Sequence, residues 1–454
     1  MEQVLREAAE RAITYLAGVG ERSVRPEPDV DLSQIAGPFP DAPTDPSVVV
    51  KLLDEVVGPA TMAMAGPRFF GWVIGAAYPV AVAADWLTSA WDQNTLFAAA
   101  TPGTVGLERA ALQWVIEAAG LPPGVWGAFV TGTTVANMAA LAAACTSVLG
   151  EVGWDAVGDG LAGSPPVTVV VGEEAHPSLI KALGVVGLGR KRVVTVPVDR
   201  QGRMRPDQLP KLSLPAIVCV QAGNVNTGAI DPMAEIIPTA KKMGAWVHVD
   251  GAFGFWAATS PQLNHLTAGM ELADSWATDA HKYLNVPYDA GIVLVRNPSA
   301  LERVMSVSAA YLPDGEIGQD PVLYTPELSR RARGVPTWAV LKALGRSGLA
   351  ELIERTVRLA RRFADRLDEA GFEILNDVVL NQVLVDFGRP EETKRVVEAI
   401  QADGTLFAGP TIWQDKTAMR ISVSSWMTTE ADVDRSIEAI LRCVSNEHIP
   451  EWLA

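Results

Sequence analysis

A lysine and an aspartate, each following an apolar segment, are the residues of this chain that most directly suggest chemistry. Lys282 ends the segment Thr278-Asp279-Ala280-His281-Lys282, and Asp250 ends the apolar run Trp246–Asp250, thirty-two residues upstream. A lysine amine can hold an aldehyde as a Schiff base. A buried carboxylate needs a cationic partner, which a pyridinium nitrogen supplies. The pair therefore predicts a site for pyridoxal 5'-phosphate, in which Lys282 binds the aldehyde and Asp250 pairs with the ring nitrogen.

Two further segments carry polar residues where an apolar run ends. The segment Thr131–Asn137 precedes an alanine-rich helix, and its hydroxyls and backbone N–H groups are suited to cradle a phosphate. An ordinary threonine cap is the alternative interpretation. His176 follows another apolar run, where its imidazole could lie flat on a cofactor ring, although a locally hydrogen-bonded histidine remains the alternative. Likewise, Lys282 could be a surface lysine and Asp250 a turn cap.

Short β-branched runs alternate with helical stretches from about residue 81 to 335. This alternation predicts an α/β domain with a mostly parallel central sheet, and ligands of such sheets bind at the carboxyl ends of the strands. The polar segments named above lie at those ends. The predicted strands are 167–171, 192–198, 216–221, 245–250 and 291–295.

The two ends of the chain have other patterns. Residues 1–80 begin with a short amphipathic helix and continue through a Pro- and Asp-rich connector, which predicts an arm that docks on another surface. Residues 336–454 predict a smaller α+β domain. Its expected helices are 349–370, 391–402 and one beginning at Thr429, and its expected strands are 382–387 and 418–423.

Composition excludes several classes of protein. The 454 residues are enough for at least two structural units, and a net charge of -16 argues against a nucleic-acid partner. Three widely spaced cysteines favour reduced thiols in the cytoplasm over disulfides or a metal site. No secretory signal is recognised at the N-terminus. The uncharged stretch between Glu117 and Glu151 contains prolines and glycines, so we interpret it as a buried loop and core helix rather than a membrane span.

Taken in order, these segments resemble the group II pyridoxal-phosphate-dependent decarboxylases, the family of aromatic L-amino acid decarboxylase and histidine decarboxylase. The resemblance extends from about Gly66 to about Thr429. It implies fold type I, the aspartate aminotransferase-like fold. It also implies roles for individual residues: phosphate contacts from Thr133, Thr134, Asp279 and His281, ring contacts from His176 and Ala252 on opposite faces, the ring nitrogen partner Asp250, and the Schiff-base lysine Lys282.

Tyr311 aligns with a tyrosine on a mobile loop of that family, which is thought to return a proton to the substrate carbon after CO2 leaves. The resemblance therefore favours decarboxylation to an amine. An aldehyde synthase, which forms aldehyde with oxygen, and an aminotransferase on the same fold remain alternatives. A core or surface tyrosine is the other interpretation of Tyr311, and a catalytically silent pyridoxal-phosphate-binding homologue is the alternative from outside enzymes.

The substrate pocket is predicted from aromatic residues on the N-terminal side. Phe70, Trp72, Trp91 and Phe97 would line an apolar pocket if they face it, which favours an aromatic L-amino acid; each could equally be a core residue. An acidic substrate would need a convergent arginine, for which Arg68, Arg330 and Arg331 are candidates. The resemblance further implies a homodimer with active sites at the interface and the arm packed across it.

Overall fold

The computed structural model describes residues 1–307 and 319–445. The helices are α1 (Glu2–Gly18), α2 (Pro46–Leu52), α3 (Pro79–Trp91), α4 (Pro102–Ala118), α5 (Thr133–Glu151), α6 (Pro177–Val185), α7 (Met233–Lys242), α8 (Ser299–Met305), α9 (Gly334–Glu369), α10 (Pro390–Asp403) and α11 (Glu430–Val444). The strands are β1 (Trp126–Val130), β2 (Thr168–Gly172), β3 (Val194–Val196), β4 (Ala216–Gln221), β5 (Trp246–Asp250), β6 (Ser275–Asp279), β7 (Gly291–Val295), β8 (Glu373–Ile374), β9 (Gln382–Asp386), β10 (Gly409–Trp413) and β11 (Lys416–Ser422).

The larger sheet has seven strands in the order β1-β7-β6-β5-β4-β2-β3. Strands β3, β2, β4, β5 and β6 are parallel, whereas β7 runs antiparallel to both β6 and β1. The prediction of a mostly parallel sheet is therefore confirmed. Because β5 and β6 are parallel neighbours, Asp250 and Asp279 end their strands at the same edge of the sheet. The segment that carries Lys282 follows directly.

Helix α5 lies at the centre of the larger core. Its alanine-rich sequence favours the helical state and lets it pack closely on β5, β6 and β7. Of the described helices, α5 alone is long and apolar enough to span a bilayer, and 67% of its most apolar window is buried within this fold. The predicted core helix of the uncharged stretch is α5, but the stretch also contains strand β1, where only a buried loop was expected.

The smaller sheet has four strands in the order β10-β11-β9-β8, with helices α9 and α10 packed on it and α11 packed against both helices. Helix α11 begins after Thr429, whose hydroxyl accepts the Asp432 N–H while the Asp432 carboxylate accepts the Thr429 N–H. This capping box confirms the predicted start. Helix α9 is interrupted at Gly345, whose φ of +59° suits glycine. Strand β10 escaped the sequence prediction, because Gly409 and Pro410 are weak strand formers.

Candidate active site

Lys282 lies three residues beyond the end of β6, in the turn that connects this strand to β7. Its Nζ is 3.0 Å from Asp279 Oδ2, and its side chain is 21% exposed, so the amine is reachable from solvent. Gly75 packs against the same turn: a Cβ at that position would lie 2.1 Å from the Lys282 carbonyl oxygen. The lysine is therefore held between the sheet edge and the N-terminal segment, and is not a surface lysine.

Asp250 ends β5 with its carboxylate buried. Its Oδ2 accepts a hydrogen bond from Asn137 Nδ2 at 3.3 Å, whereas its buried Oδ1 has no partner. Burial raises the pKa of Asp250 to about 6, against the lowering effects of the Lys282 charge and the Asn137 hydrogen bond. A buried carboxylate oxygen without a partner is costly, so Oδ1 is suited to receive an N–H from a bound molecule.

The N-terminus of α5 forms the other end of the site. The Thr133 N–H donates to Asp279 Oδ1 at 2.6 Å, and the buried Thr133 Oγ1 has no hydrogen-bond partner. Thr134 is half-buried in the same turn. Gly291 at the start of β7 supports this loop closely, because a Cβ there would lie 2.4 Å from Gly132 Cα. A helix N-terminus with an unpaired hydroxyl is suited to hold a phosphate.

His176 caps helix α6 and faces the same region. Its Nδ1 accepts the Ser178 N–H at 3.2 Å and lies 2.7 Å from Ser178 Oγ. Burial, together with the positive charges of Lys282 and Arg420, lowers the pKa of His176 to about 4. The imidazole is therefore neutral at pH 7. The local hydrogen bonds orient the ring and leave Nε2 available to a ligand.

His281 is buried beside Asp279. Its Nδ1 accepts the Ala290 N–H at 3.2 Å, and its Nε2 lies 3.7 Å from Asp279 Oδ2. Burial lowers the pKa of His281 against the opposing charge of Asp279. Ala252, just beyond β5, is half-buried, and its carbonyl accepts the Asp279 N–H. Tyr311 lies outside the described residues.

Pyridoxal phosphate fits this arrangement of side chains. Two of the buried oxygens without partners, Asp250 Oδ1 and Thr133 Oγ1, belong to the groups predicted to bind the ring nitrogen and the phosphate. Lys282 follows the strand that lies next to β5. The structure brings together Thr133, Asp250, Asp279, His281 and Lys282 through direct contacts or shared partners, and places His176 within electrostatic range of Lys282. Their individual roles remain predictions.

The aromatic residues predicted for the pocket lie in different environments. Phe70 is 1% exposed and packs edge-on against Phe363 in the core of the smaller sheet, so its ring is enclosed and does not face an open pocket. Trp72 is 51% exposed and lies against Phe407 with its ring tilted by 31°, while Trp91, at the end of α3, is 45% exposed. Phe97 is half-buried. The exposed tryptophans are available to line a site that another surface completes.

The three candidate arginines are neutralised elsewhere in the fold. Arg68 pairs with Asp432 at 3.2 Å, Arg330 with Glu108 at 2.6 Å, and Arg331 with Asp85 at 2.6 Å. The Arg330 pair is fully buried and also caps the Phe129 carbonyl, a structural arrangement. None of the three guanidinium groups is therefore left to receive a substrate carboxylate.

Arg420 on β11 is the cation that sequence reasoning missed. Its guanidinium donates to Asn226 Oδ1 at 3.2 Å, and within residues 1–307 and 319–445 no carboxylate lies within ion-pair distance of it. Burial lowers the pKa of Arg420, and its charge acts on His176. Because it lies on the smaller sheet, about 140 residues beyond Lys282, no local sequence pattern links it to the site.

A single substitution tests the phosphate end of the site. Although burial opposes it, the charge of Lys282 lowers the pKa of Asp279, so this carboxylate is ionised. A phosphate on the Thr133 N–H would meet a like charge, and two charges about 5 Å apart repel by about 3 kcal/mol at an effective dielectric constant of about 20. Because the nearby Lys282 amine offsets part of this repulsion, we expect Asp279→Asn to tighten pyridoxal phosphate binding about tenfold, or about 1.4 kcal/mol. Fluorescence titration of the apoprotein measures the Kd.

Asp274→Asn is the matched control, since Asp274 immediately precedes the other end of β6 and accepts the Val247 N–H. This variant should leave the Kd for pyridoxal phosphate unchanged. An unchanged or weaker Kd in Asp279→Asn would show that the carboxylate does not oppose the phosphate.

The whole chain is similar to known decarboxylases. A model of the pyridoxal-dependent decarboxylase conserved domain matches residues 29–387. The chain is 26% identical to an aromatic-L-amino-acid decarboxylase of Bacillus atrophaeus, an alignment that covers 95% of this chain and 92% of the relative. It is 28% identical to an acidic amino acid decarboxylase of Mus musculus, with 83% and 70% covered.

The fold also matches a solved structure. A crystal structure of Oryza sativa TDC with PLP and tryptamine superposes with a TM-score of 0.91 at 23% identity, covering 98% of this chain and 97% of that one. This likeness confirms fold type I. The relatives differ in the amino acids that their names specify, so they define the reaction class and leave the substrate open. Because the family model spans more than half of its length, this chain belongs to the pyridoxal-dependent decarboxylases, lyases that use pyridoxal phosphate.

Proposed function

We propose that this chain decarboxylates an aromatic L-amino acid to the corresponding amine and CO2, with Lys282, Asp250 and His176 at the reacting centre. The observation that carries the proposal is the buried Asp250 Oδ1, which lacks a hydrogen-bond partner in the same site as the reachable amine of Lys282. Bound pyridoxal phosphate supplies an electron sink for the pair of electrons that departing CO2 leaves behind.

Four groups of side chains bind the cofactor or transfer protons in the proposed reaction. Asp250 balances a protonated ring nitrogen, and Lys282 holds the cofactor before substrate arrives and accepts or returns a proton at Nζ. Neutral His176 covers the ring with an apolar imidazole face and keeps Nε2 free for the substrate. Thr133 and Thr134 hold the phosphate at the N-terminus of α5.

Arg420 is the proposed anchor of the substrate α-carboxylate. Its half-buried guanidinium donates to the Asn226 amide oxygen, and its charge acts on His176. A guanidinium group matches a carboxylate in two parallel hydrogen bonds. Holding the carboxylate by this contact would orient the bond to be broken before CO2 leaves.

The same arginine arrangement supports an aromatic rather than an acidic substrate. An acidic amino acid has a second carboxylate, which calls for another cation in the pocket. Arg68, Arg330 and Arg331 are each committed to an aspartate or glutamate elsewhere. The exposed Trp72 offers an aromatic surface instead.

Assembly and proton return complete the proposal. Helix α1 buries none of its residues in the single chain and exposes Leu5 and Ile13, which supports a homodimer in which residues 1–80 pack across the partner. The three cysteines are free and buried, consistent with a reducing cytoplasm. Tyr311 remains the proposed donor of the proton that replaces CO2.

A substrate panel tests the proposed function. Purified protein loaded with pyridoxal phosphate is incubated with individual L-amino acids while CO2, amine, aldehyde and peroxide are followed together. We expect equal amounts of amine and CO2 from an aromatic amino acid, without peroxide. Aldehyde with peroxide would indicate an aldehyde synthase, CO2 from an acidic amino acid would contradict the substrate proposal, and conversion only with a 2-oxo acid would indicate an aminotransferase.

Substitution of Arg420 tests the carboxylate anchor. We expect Arg420→Met to lower kcat/KM about 100-fold for the best substrate of the panel, mainly through a higher KM, because a charge-assisted contact is lost. Binding of pyridoxal phosphate should be unchanged. The amine product lacks the carboxylate, so its inhibition constant should also be unchanged, and equal losses for amino acid and amine would argue against the anchor.

A further inference from the structure

A continuous hydrogen-bond chain reaches Asp250 through the protein interior. Trp246 Nε1 donates to Ser275 Oγ at 2.9 Å, and Ser275 Oγ lies 2.9 Å from His248 Nδ1. His248 Nε2 lies 2.9 Å from Asn137 Oδ1, and Asn137 Nδ2 donates to Asp250 Oδ2 at 3.3 Å. The Ser275, His248 and Asn137 side chains are fully buried.

The strand geometry explains how these residues meet. Trp246, His248 and Asp250 alternate along β5, so their side chains point to one face of the sheet. Ser275 is the β6 residue in register with His248. Helix α5 packs on β5 and places Asn137 between His248 and Asp250.

Elementary chemistry determines the direction of each bond. An ionised carboxylate only accepts, so Asn137 presents its amide N–H to Asp250 and its carbonyl to His248. His248 must then donate from Nε2 and accept at Nδ1 from the Ser275 hydroxyl. Indole nitrogen only donates, so Trp246 completes the series at Ser275. Every donor therefore points toward the Asp250 carboxylate, and such aligned bonds strengthen one another.

We propose that Trp246, Ser275, His248 and Asn137 form a one-directional relay that holds Asp250 ionised and keeps its Oδ1 free for the ring nitrogen of the cofactor. His248 is thus a positioning residue that acts on the cofactor through Asn137 and Asp250. This inference rests on the proposed cofactor site.

The titration behaviour of the buried groups supports the relay. Burial lowers the pKa of His248 to about 3, so the imidazole is neutral and has one N–H to donate. Burial raises the pKa of Asp250 toward neutrality, and the Asn137 hydrogen bond opposes that rise. The other groups whose charges act on Asp250 are Lys282, which lowers the pKa of the carboxylate, and Asp279, which raises it. Burial, with a further contribution from the Asp250 charge, raises the pKa of the Cys219 thiol on β4.

Ring-nitrogen protonation gives a readout that does not depend on turnover. The full-length protein is loaded with [15N]pyridoxal phosphate, and the 15N chemical shift of the ring is measured for the unaltered protein, His248→Leu and His248→Gln. Leucine is similar in size to histidine but lacks the N–H that His248 donates to Asn137. In His248→Leu we therefore expect the 15N shift to move toward that of an unprotonated nitrogen, and the Kd for pyridoxal phosphate to rise about tenfold. Glutamine retains an amide donor and should keep the unaltered shift.

Ser275→Ala is a second, less disruptive substitution that can be used if His248→Leu does not fold. Losing the hydroxyl that orients the imidazole should move the 15N shift in the same direction, with a Kd rise of about threefold. A purely packing role for His248 predicts equal effects of leucine and glutamine on thermal stability and an unmoved 15N shift. That result, or an unmoved shift in both His248→Leu and Ser275→Ala, overturns the relay.

Borohydride reduction of the unaltered protein tests the proposed cofactor site independently of the relay. Reduction should attach the cofactor covalently to Lys282, as read by peptide mass spectrometry. Attachment at another residue, or none, would overturn the proposed site and the relay together. Attachment at Lys282 with 15N shifts that do not respond to the His248 and Ser275 variants overturns the relay alone.

Discussion

Lys282→Ala is expected to lower the rate of amine formation by about 10⁴-fold or more, the loss typical of removing a covalent catalytic group. Alanine cannot bind the cofactor aldehyde, and no amine remains to release the product or carry a proton at that position. After borohydride reduction, intact-protein mass spectrometry should find the cofactor mass on the unaltered protein and not on the variant. Noncovalent binding should persist through Asp250 and the α5 N-terminus.

Lys181→Ala is the matched control for this substitution. Lys181 is an exposed lysine on α6, the helix that His176 caps. This variant should retain both amine formation and the borohydride-fixed mass. A cofactor mass that survives reduction in Lys282→Ala would remove Lys282 from its proposed role.

Asp250→Asn is expected to lower the decarboxylation rate about 10³-fold, at the upper end of losses from removing one electrostatic contact in an active site. The neutral amide cannot balance a positive ring nitrogen in a buried environment, so the nitrogen loses its proton and the ring withdraws electrons less effectively. Stopped-time assays of amine measure the rate, and the 15N shift of bound cofactor reports the ring nitrogen directly.

Asp231→Asn separates this electrostatic effect from damage to the fold. Asp231 is also a buried carboxylate, and it accepts the Met204 and Gln221 N–H groups, each at 2.7 Å. We expect this control to lower thermal stability while the ring nitrogen stays protonated. Retention of activity in Asp250→Asn, or loss of the ring proton in Asp231→Asn, would contradict the assignment of Asp250.

Local sequence patterns are sufficient to predict the elements that carry the candidate cofactor site. Asp250 ends one strand and His176 follows another, both with β-branched runs that are recognisable locally, and Lys282 lies just past the end of a third strand. Parallel strands present their carboxyl ends at one edge, so polar residues at those ends had to meet there. The alanine-rich run after Thr133 likewise predicted α5 from its intrinsic helix propensity.

The groups that are available to complete the proposed site depend on the tertiary structure. Arg420 comes from the smaller sheet, where it is half-buried without a carboxylate partner among the described residues, whereas Arg68, Arg330 and Arg331 pair with carboxylates from distant elements. Phe70 resembles a pocket residue in sequence but is enclosed by packing on Phe363. Side-chain pairing and burial depend on residues far apart in the chain, and no local pattern specifies them.

The relay to Asp250 likewise depends partly on a local sequence pattern and partly on tertiary packing. The alternation of Trp246, His248 and Asp250 is visible in the sequence and determines that they share a face. Which partners meet that face depends on the register of β5 with β6 and on the packing of α5, which bring Ser275 and Asn137 into hydrogen-bond distance. Local sequence patterns therefore predict the candidate site residues, and long-range packing determines how their side chains are charged and oriented.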